Sequence, residues 1–245
     1  MKDNFSFRSD RYAKFRPSYP LEIFDYLDSI LTLKEAAWDC GTGNGQIAFE
    51  LAGRFENVFA TDISQSQISE AAKVPNIHYS VQPAEQTDFE ENKFDLIIVG
   101  QAIHWFDFDL FFQEANRTSR QNAVIAALGY GRVQVNPEID KLINDFYFNK
   151  IGEFWDPERR FVDENYLTLP FPFEEIKAPQ FENKLHWSRD HFIGYLNTWS
   201  AVKHFIDKKG FNPVVQFEKE LKSIWKSDEE KEVRFPILLR IGKLH

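Results

Sequence analysis

The segment Asp39-Cys40-Gly41-Thr42-Gly43-Asn44-Gly45 decides how this chain folds. It ends a short apolar run and opens a helical pattern, so its three glycines lie between a strand and a helix. Glycines at such a junction permit a tight turn and let backbone N–H groups approach a ligand, and the partial positive charge of the helix N-terminus favours an anionic group. The segment therefore predicts a strand–turn–helix unit that binds a nucleotide-like ligand.

The spacing of these glycines narrows the class of nucleotide. The dinucleotide fingerprint G-x-G-x-x-G requires a glycine where this chain has Gln46, and the third glycine is instead Gly45. A P-loop is excluded because no Gly-Lys-Ser/Thr follows the glycines. Asp62 ends the next predicted strand, where a carboxylate can receive both hydroxyls of a ribose. A ribose-bearing ligand without a pyrophosphate therefore fits better than NAD.

Strands and helices alternate through the first half of the chain. We expect buried strands at five short apolar runs, which are Ala36–Cys40, Val58–Thr61, Ile77–Val81, Phe94–Val99 and Ala123–Leu128. Ser64 with Gln67 forms a capping box for one intervening helix, and Asp107 caps another. Right-handed crossovers between such strands give an α/β, Rossmann-like, doubly wound sheet that is mostly parallel.

The second half of the chain follows a different pattern. Residues 131–180 contain helical fragments and proline-bounded turns, which predict a mainly helical, aromatic-rich insertion after strand 5. We then expect a strand at Phe181–Trp187, one long helix over Arg189–Phe205, a helix after Pro213 and a final strand at Val233–Ile241. The predicted sheet has seven strands, of which the last is antiparallel.

Composition limits the partners. The 245 residues include 38 acidic and 29 basic ones, a net charge of −9, which argues against nucleic acid and anionic membranes as partners. No apolar stretch is long enough for a transmembrane segment. One cysteine and no apolar signal core near the N-terminus indicate a cytoplasmic protein. The 25 Phe, 8 Tyr and 6 Trp are an unusually large aromatic share, which we expect to pack the core and to line a lid.

Several ordered motifs resemble those of the class I S-adenosylmethionine-dependent methyltransferases. The matches are the acidic-x-Gly-x-Gly-x-Gly loop (Asp39, Gly41, Gly43, Gly45), the ribose acid Asp62, the adenine pair Ala84-Glu85 and the fourth-strand motif Phe94-Asp95-Leu96-Ile97-Ile98. Two further features resemble the small-molecule enzymes related to trans-aconitate methyltransferase, namely Tyr12, Arg16-Pro17 and Tyr19-Pro20 near the start and Gln101-Ala102-Ile103-His104-Trp105-Phe106 after the fourth strand.

The resemblance implies a cofactor, a site and a domain plan. S-adenosylmethionine is the expected cofactor, bound by Tyr12, Arg16, Asp39, Gly41, Thr42, Gly43, Gly45, Asp62, Ile63, Ala84, Glu85 and Gln101. The chain is expected to be a single methyltransferase domain, with an N-terminal flap and helix (1–30), a cofactor-binding core (31–130), a substrate lid (131–180) and a C-terminal part that completes the sheet (181–245).

Candidate catalytic residues follow the fourth strand. His104 and Trp105 lie just past its carboxyl end, where open α/β sheets bind ligands, so we expect them near the reacting methyl group. His104 is either a general base or a packing residue, and a carboxylate acceptor would need no base. The histidines form no H-E-x-x-H pattern, so no metal site is predicted. Arg159-Arg160 is either a grip for an anionic substrate or a solvated surface pair.

Four functions are compatible with these motifs to different degrees. The first is a methyltransferase acting on a small molecule, with a carboxylate as one option, by in-line displacement. The alternative is a regulatory protein that binds S-adenosylmethionine without transferase activity. Gln46 weighs against a nicotinamide oxidoreductase. Nucleic-acid methylation is opposed by the negative charge and by Gly100-Gln101-Ala102-Ile103, which stands where an Asn/Asp-Pro-Pro-aromatic tetrad would.

Overall fold

The computed structural model describes residues 15–226 and 229–244. Its sheet contains five parallel strands, namely β1 (Ala36–Cys40), β2 (Asn57–Asp62), β3 (Ile77–Val81), β4 (Phe94–Gly100) and β5 (Ser119–Tyr130), in the order 3-2-1-4-5. Beyond β5 lie β8 (Glu230–Lys243), antiparallel to β5, and the short β6 (Glu174–Glu175). The mostly parallel, Rossmann-like sheet with an antiparallel strand near its end is thus confirmed, although β6 was not among the predicted strands.

The strand β8 is long enough to pair with two partners in succession. Its second half, from Ile237, pairs with β5, whereas its first half, Glu230–Pro236, pairs with β7 (Glu182–Ser188). The strand β7 therefore lies off the seven-strand path, as an eighth strand on the extension of β8. This extension is the platform on which the C-terminal helices pack.

Helices flank the sheet. Those of the first half are α1 (Leu21–Ile30), α2 (Gln46–Ala52), α3 (Gln65–Ser69) and α4 (Phe108–Thr118). Ser64 Oγ accepts a hydrogen bond from Gln67 N at the start of α3, and Asp107 Oδ1 accepts one from Leu110 N at the start of α4, so both residues are N-caps. The predicted capping box is only half formed, because Ser64 N donates to Asp62 Oδ1. Phe111 and Phe112 of α4 are buried against the sheet.

The insertion after β5 is mainly helical, as predicted. It consists of α5 (Pro137–Asn144), a π-helical turn (Asp145–Lys150), 3₁₀ turns at Gly152–Phe154 and Pro157–Arg159, and α6 (Arg160–Asp163). Of its aromatic residues, Phe146, Tyr147 and Phe154 share one buried cluster with α7 (Arg189–Leu196), α8 (Ser200–Lys209) and α9 (Val214–Leu221). In contrast, Phe161, Tyr166 and Phe173 belong to the cluster around α4 and the sheet. The aromatic residues of the insertion therefore pack two separate cores.

The prediction of one long helix over Arg189–Phe205 was wrong, because the chain breaks between α7 and α8. Asn197 Nδ2 donates to Ile193 O and Thr198 Oγ1 donates to Tyr195 O, so both side chains cap carbonyls of the preceding turn. Trp199 then has extended backbone, with φ −71° and ψ 134°. The break leaves Thr198 O available to a partner outside the helix.

The topology places the functional site. The order of the strands reverses between β1 and β4, where Trp38 of β1 lies between Phe59 of β2 and Ile97 of β4. Ligands of open α/β sheets bind at the carboxyl ends of the strands at such a switch point. No helix within the described part of the chain is long and apolar enough to cross a bilayer.

Candidate active site

The glycine turn after β1 has a backbone shape that only glycine adopts without strain. Gly41, Gly43 and Gly45 all have positive φ, at 70°, 57° and 79°. A Cβ at Gly41 would lie 2.7 Å from Ala102 Cβ, and one at Gly45 would collide with the Tyr79 hydroxyl. The turn therefore brings its backbone close to the end of β4 and starts α2 at the predicted position.

Asp39 lies beneath this turn with one oxygen that lacks a partner. Its Oδ2 accepts hydrogen bonds from Thr42 Oγ1 at 2.5 Å and Ala48 N at 2.9 Å. Among the described residues nothing bonds its Oδ1, although the side chain is 1% exposed. Burial raises the pKa of Asp39 to about 7. A cationic group placed against Oδ1 would satisfy it and restore its charge.

Asp62 closes the cleft at the end of β2. Its Oδ2 accepts from Gly43 N and its Oδ1 from Ser64 N, both at 2.9 Å. These two backbone donors hold the carboxylate between the glycine turn and the N-terminus of α3. The carboxylate is thus fixed where the sequence predicted the acceptor for ribose hydroxyls.

The cofactor cleft, as we name it, joins these groups. The predicted residues that line it are Arg16, Asp39, Gly41, Thr42, Gly43, Asp62, Ile63, Gln101 and Trp105. It holds about 860 Å³ of empty space including its open mouth. Sequence reasoning missed other lining residues, among them Gln67 and Tyr130. Tyr130 ends β5, so its place at a strand's carboxyl end was the available signal.

Some predicted cofactor residues lie elsewhere. Gly45 is on the outer side of the turn, in a neighbouring surface groove. Ala84 is buried in the core, and Glu85 Oε1 accepts a hydrogen bond from Asp107 N at 3.1 Å, with neither residue in the lining of the cleft. Their contact with an adenine ring stays a prediction. Tyr12 lies outside the described residues.

Arg16 and Gln101 bridge the cleft to the second half of the chain. Arg16 Nη1 donates to the Tyr130 hydroxyl at 2.8 Å, and Arg16 Nη2 donates to Thr198 O at 3.1 Å in the break between α7 and α8. Gln101 has a φ of 54°, rare for a residue with a side chain, and its Nε2 donates to Tyr130 O at 3.0 Å. Strained backbone of this kind is concentrated at functional sites.

A second, smaller cavity adjoins the cofactor cleft, and we call it the inner chamber. Its lining consists of Arg16, Gln101, His104, Trp105, Trp155, Arg159, Trp199 and Ser200, around about 440 Å³ of empty space including the opening to solvent. Three of these residues, Arg16, Gln101 and Trp105, also line the cleft. The two cavities therefore share a wall at the end of β4.

His104 is a neutral residue in the wall of this chamber. It is 6% exposed, and its Nδ1 lies 3.4 Å from the Tyr166 hydroxyl. Burial, and then the positive charge of Arg159, lower the pKa of His104 to about 3. An imidazole with such a low pKa is a weak general base at neutral pH.

Arg159 is the second cation of the inner chamber. Its Nε donates to the Tyr147 hydroxyl at 2.9 Å, and its Cζ lies 4.9 Å from the centre of the Trp155 ring. Its neighbour Arg160 is exposed, with its guanidinium over Phe161 and outside the chamber lining. The structure thus separates the pair that sequence considered together. Trp155 and Trp199 had no local sequence signal, because only the tertiary fold brings them here.

The cleft fits S-adenosylmethionine. Asp39 Oδ1 is a buried carboxylate oxygen that can pair with the ammonium of the methionine part, and Asp62 is a fixed carboxylate for the ribose. The glycine turn admits the ligand close to the backbone. Within residues 15–226 and 229–244 there is no group of three or more potential metal-binding His, Cys, Asp or Glu side chains.

Comparisons with known proteins agree with this fit. A family model described as "Methyltransferase domain" matches residues 38–127. A Dictyostelium discoideum protein assigned as a methyltransferase is 32% identical over 98% of this chain and 95% of its own length. A Saccharomyces cerevisiae protein assigned as an S-adenosylmethionine-dependent methyltransferase is 26% identical over 71% of this chain and 63% of its own.

The solved structures include a similar protein over nearly the whole chain. It is assigned as a type II methyltransferase from Anaeromyxobacter dehalogenans, is 39% identical, covers 94% of this chain and 98% of its own, and superposes with a TM-score of 0.87. The glycine turn, the two carboxylates and these relatives lead to one conclusion. The chain belongs to the class I S-adenosylmethionine-dependent methyltransferases, with S-adenosylmethionine as its cofactor.

Proposed function

We propose that this methyltransferase transfers the methyl group to a carboxylate oxygen of a small molecule bound in the inner chamber. The observation that carries the proposal is the presence of two arginines, Arg16 and Arg159, in a small chamber that shares a wall with the cofactor cleft. Planar guanidinium groups are the side chains best suited to bind carboxylates. The chain's acidic balance makes a cationic interior chamber a specific feature rather than a general surface property.

The chemistry of this acceptor agrees with the electrostatics of the chamber. S-adenosylmethionine supplies a methyl group on a cationic sulfur. A carboxylate oxygen forms the new C–O bond as the C–S bond breaks, the electron pair stays on sulfur, and no proton moves. Two opposite charges are thereby lost, so surroundings that exclude water favour the transition state over the separated ions.

This chain's own residues then have distinct tasks. Asp39 and Asp62 hold the two ends of the cofactor, and Trp105 separates the cleft from the chamber while contributing to both walls. Arg16 and Arg159 orient the acceptor. His104 stays neutral and shapes the chamber, since a carboxylate acceptor needs no base. The insertion (131–180), which was predicted to be a substrate lid, supplies Trp155 and Arg159 to the chamber.

A methyl-transfer screen tests the proposal. The protein is incubated with S-adenosylmethionine carrying a labelled methyl group and with panels of small carboxylates, phenols and amines of matched size. We expect label in methyl esters and none in ethers or methylated amines. Transfer to phenols or amines, with no carboxylate methylated, would overturn the carboxylate assignment.

A further inference from the structure

The inner chamber combines charge and flat apolar walls in a way that defines a narrower class of acceptor. We propose that it binds an aromatic carboxylate, with the carboxylate on Arg159 and the ring among Trp105, Trp155 and Trp199. This inference rests on the proposed function, because it identifies the chamber's occupant as the acceptor. Its two parts, the anion grip and the ring walls, are supported by different contacts.

The grip is a guanidinium held in a fixed orientation. The Tyr147 hydroxyl accepts from Arg159 Nε at 2.9 Å and donates to Asp163 Oδ1 at 2.6 Å. Asp163 Oδ1 itself lies 3.7 Å from Arg159 Nε. Within the described residues, no atom accepts a hydrogen bond from either Nη of Arg159. The two Nη groups therefore form a fork that is open to the two oxygens of a carboxylate.

Tyr147 is well placed to hold this orientation. It is 2% exposed and lies in the π-helical turn Asp145–Lys150, a rare element that is often found at functional sites. Its ring packs 4.7 Å from Trp155 and 5.6 Å from Trp199, centre to centre. Burial raises the pKa of Tyr147, so its hydroxyl keeps the proton that it donates to Asp163. Tyr147 and Asp163 are therefore positioning residues for Arg159.

The tryptophan rings that line the chamber favour a flat ligand. Three of the chain's six tryptophans line this one small chamber. Trp155 and Trp199 lie 5.5 Å apart at an interplanar angle of 49°, and Trp105 lies 5.0 Å from His104. Flat aromatic surfaces of this kind favour another ring through stacked or edge-to-face contacts.

Binding of three probes of similar size tests the two parts separately. Benzoate carries both the charge and the ring, benzamide lacks the charge, and cyclohexanecarboxylate lacks the flat ring. Affinities are measured by titration calorimetry on the full chain saturated with S-adenosylhomocysteine. We expect benzamide to bind at least about tenfold more weakly than benzoate. We expect cyclohexanecarboxylate to bind at least about threefold more weakly than benzoate. Equal affinity of benzoate and either comparison compound would overturn the proposal.

Variants test the named residues. Arg159→Met should weaken benzoate binding at least about tenfold, whereas Arg160→Met, at the exposed neighbour outside the chamber, should leave it unchanged. Tyr147→Phe removes one hydroxyl and should weaken benzoate binding about fivefold, with S-adenosylhomocysteine affinity unchanged. If Tyr147→Phe does not fold, Asp163→Asn serves the same purpose, because Asp163 is the exposed acceptor of the Tyr147 hydrogen bond. Unchanged benzoate affinity in whichever of these two variants folds would overturn the positioning role of Tyr147 and Asp163.

Methyl transfer is scored in a separate assay, so the two proposals fail in different ways. Selective binding of benzoate without formation of methyl benzoate would contradict carboxylate methylation and support the chamber's ligand class. Methylation of an aliphatic acid, with no selective benzoate binding, would support the proposed function and contradict the aromatic inference.

Discussion

The cofactor cleft and the inner chamber share a wall, yet they are built in opposite ways. The floor of the cleft comes from one short stretch, residues 39–67, in which a strand, a glycine turn and a carboxylate follow one another along the chain. The chamber combines Arg16 with residues near positions 101–105, 155–159 and 199–200. The residues of the cofactor cleft are thus largely encoded in one local stretch, whereas the chamber proposed to hold the acceptor is assembled by tertiary packing.

The largest expected effect in the cofactor cleft is at Asp62, whose carboxylate is fixed by Gly43 N and Ser64 N. Asp62→Ala should weaken S-adenosylmethionine binding by about 100-fold, because two hydrogen bonds to a charged acceptor are lost. Titration calorimetry measures this, with Asp207→Ala, at an exposed position on α8, as the control. Wild-type affinity in Asp62→Ala would remove this carboxylate from the site.

Two glycines with the same φ separate the requirement of the turn from ordinary backbone strain. Gly45 and Gly210 both have φ 79°, but a Cβ at Gly45 would strike Tyr79 whereas one at Gly210 meets nothing within 4 Å. Gly210→Ala should lower the free energy of unfolding by about 1 kcal/mol. Gly45→Ala should cost roughly 1–3 kcal/mol more. Denaturant unfolding measures both losses. Equal losses in the free energy of unfolding would show that the Tyr79 side chain can move away without an energetic penalty.

The sequence allowed much of the cleft and little of the chamber to be predicted. The turn, Asp39 and Asp62 were recognisable because glycine at positive φ and a carboxylate at a strand end leave a local pattern. Trp199 carries no such pattern, since its position depends on a helix break that propensity did not reveal. Arg159 and Arg160 are equivalent in sequence, and only the fold shows which one enters the chamber.

The pH dependence of S-adenosylmethionine binding tests whether Asp39 pairs with the ammonium group of the cofactor. Because burial raises its pKa to about 7, the free protein carries this group mostly protonated below that pH, and pairing with an ammonium requires its ionised form. S-adenosylmethionine affinity should therefore fall up to about tenfold from pH 7.5 to about pH 6. Methylthioadenosine, which lacks the ammonium, should show no such change. A parallel fall for both ligands would place the titrating group elsewhere.

The same raised pKa has a consequence for stability. A carboxyl whose pKa is higher in the folded than in the unfolded chain stabilises the fold at low pH and loses that contribution as pH rises through its folded pKa. In the ligand-free protein the loss should therefore extend from about pH 4 to about pH 7. Asp39→Asn should be more stable than wild type at about pH 8 and lose that advantage at about pH 4. Denaturant unfolding at the two pH values measures this, and a constant difference would contradict it.

The smallest expected effect is at His104. Its pKa of about 3 excludes a titrating base near neutrality, so His104→Gln should reduce kcat less than about tenfold, whereas loss of a general base costs roughly 10²–10⁴. The pH profile of kcat should be flat from about pH 6 to about pH 8 in both proteins. If kcat rises with pH in the wild type and this dependence is lost in His104→Gln, His104 acts as a general base.

In the proposed reaction, the methyl group passes from the cofactor cleft to an anion held by Arg159 in the inner chamber. The most direct measurement is the rate of label transfer from methyl-labelled S-adenosylmethionine to benzoate in wild type, Arg159→Met and Arg160→Met. We expect methyl benzoate to form, with kcat/KM for benzoate at least about tenfold lower in Arg159→Met and unchanged in Arg160→Met. Equal rates in all three proteins, or transfer to benzamide at the rate of benzoate, would contradict it.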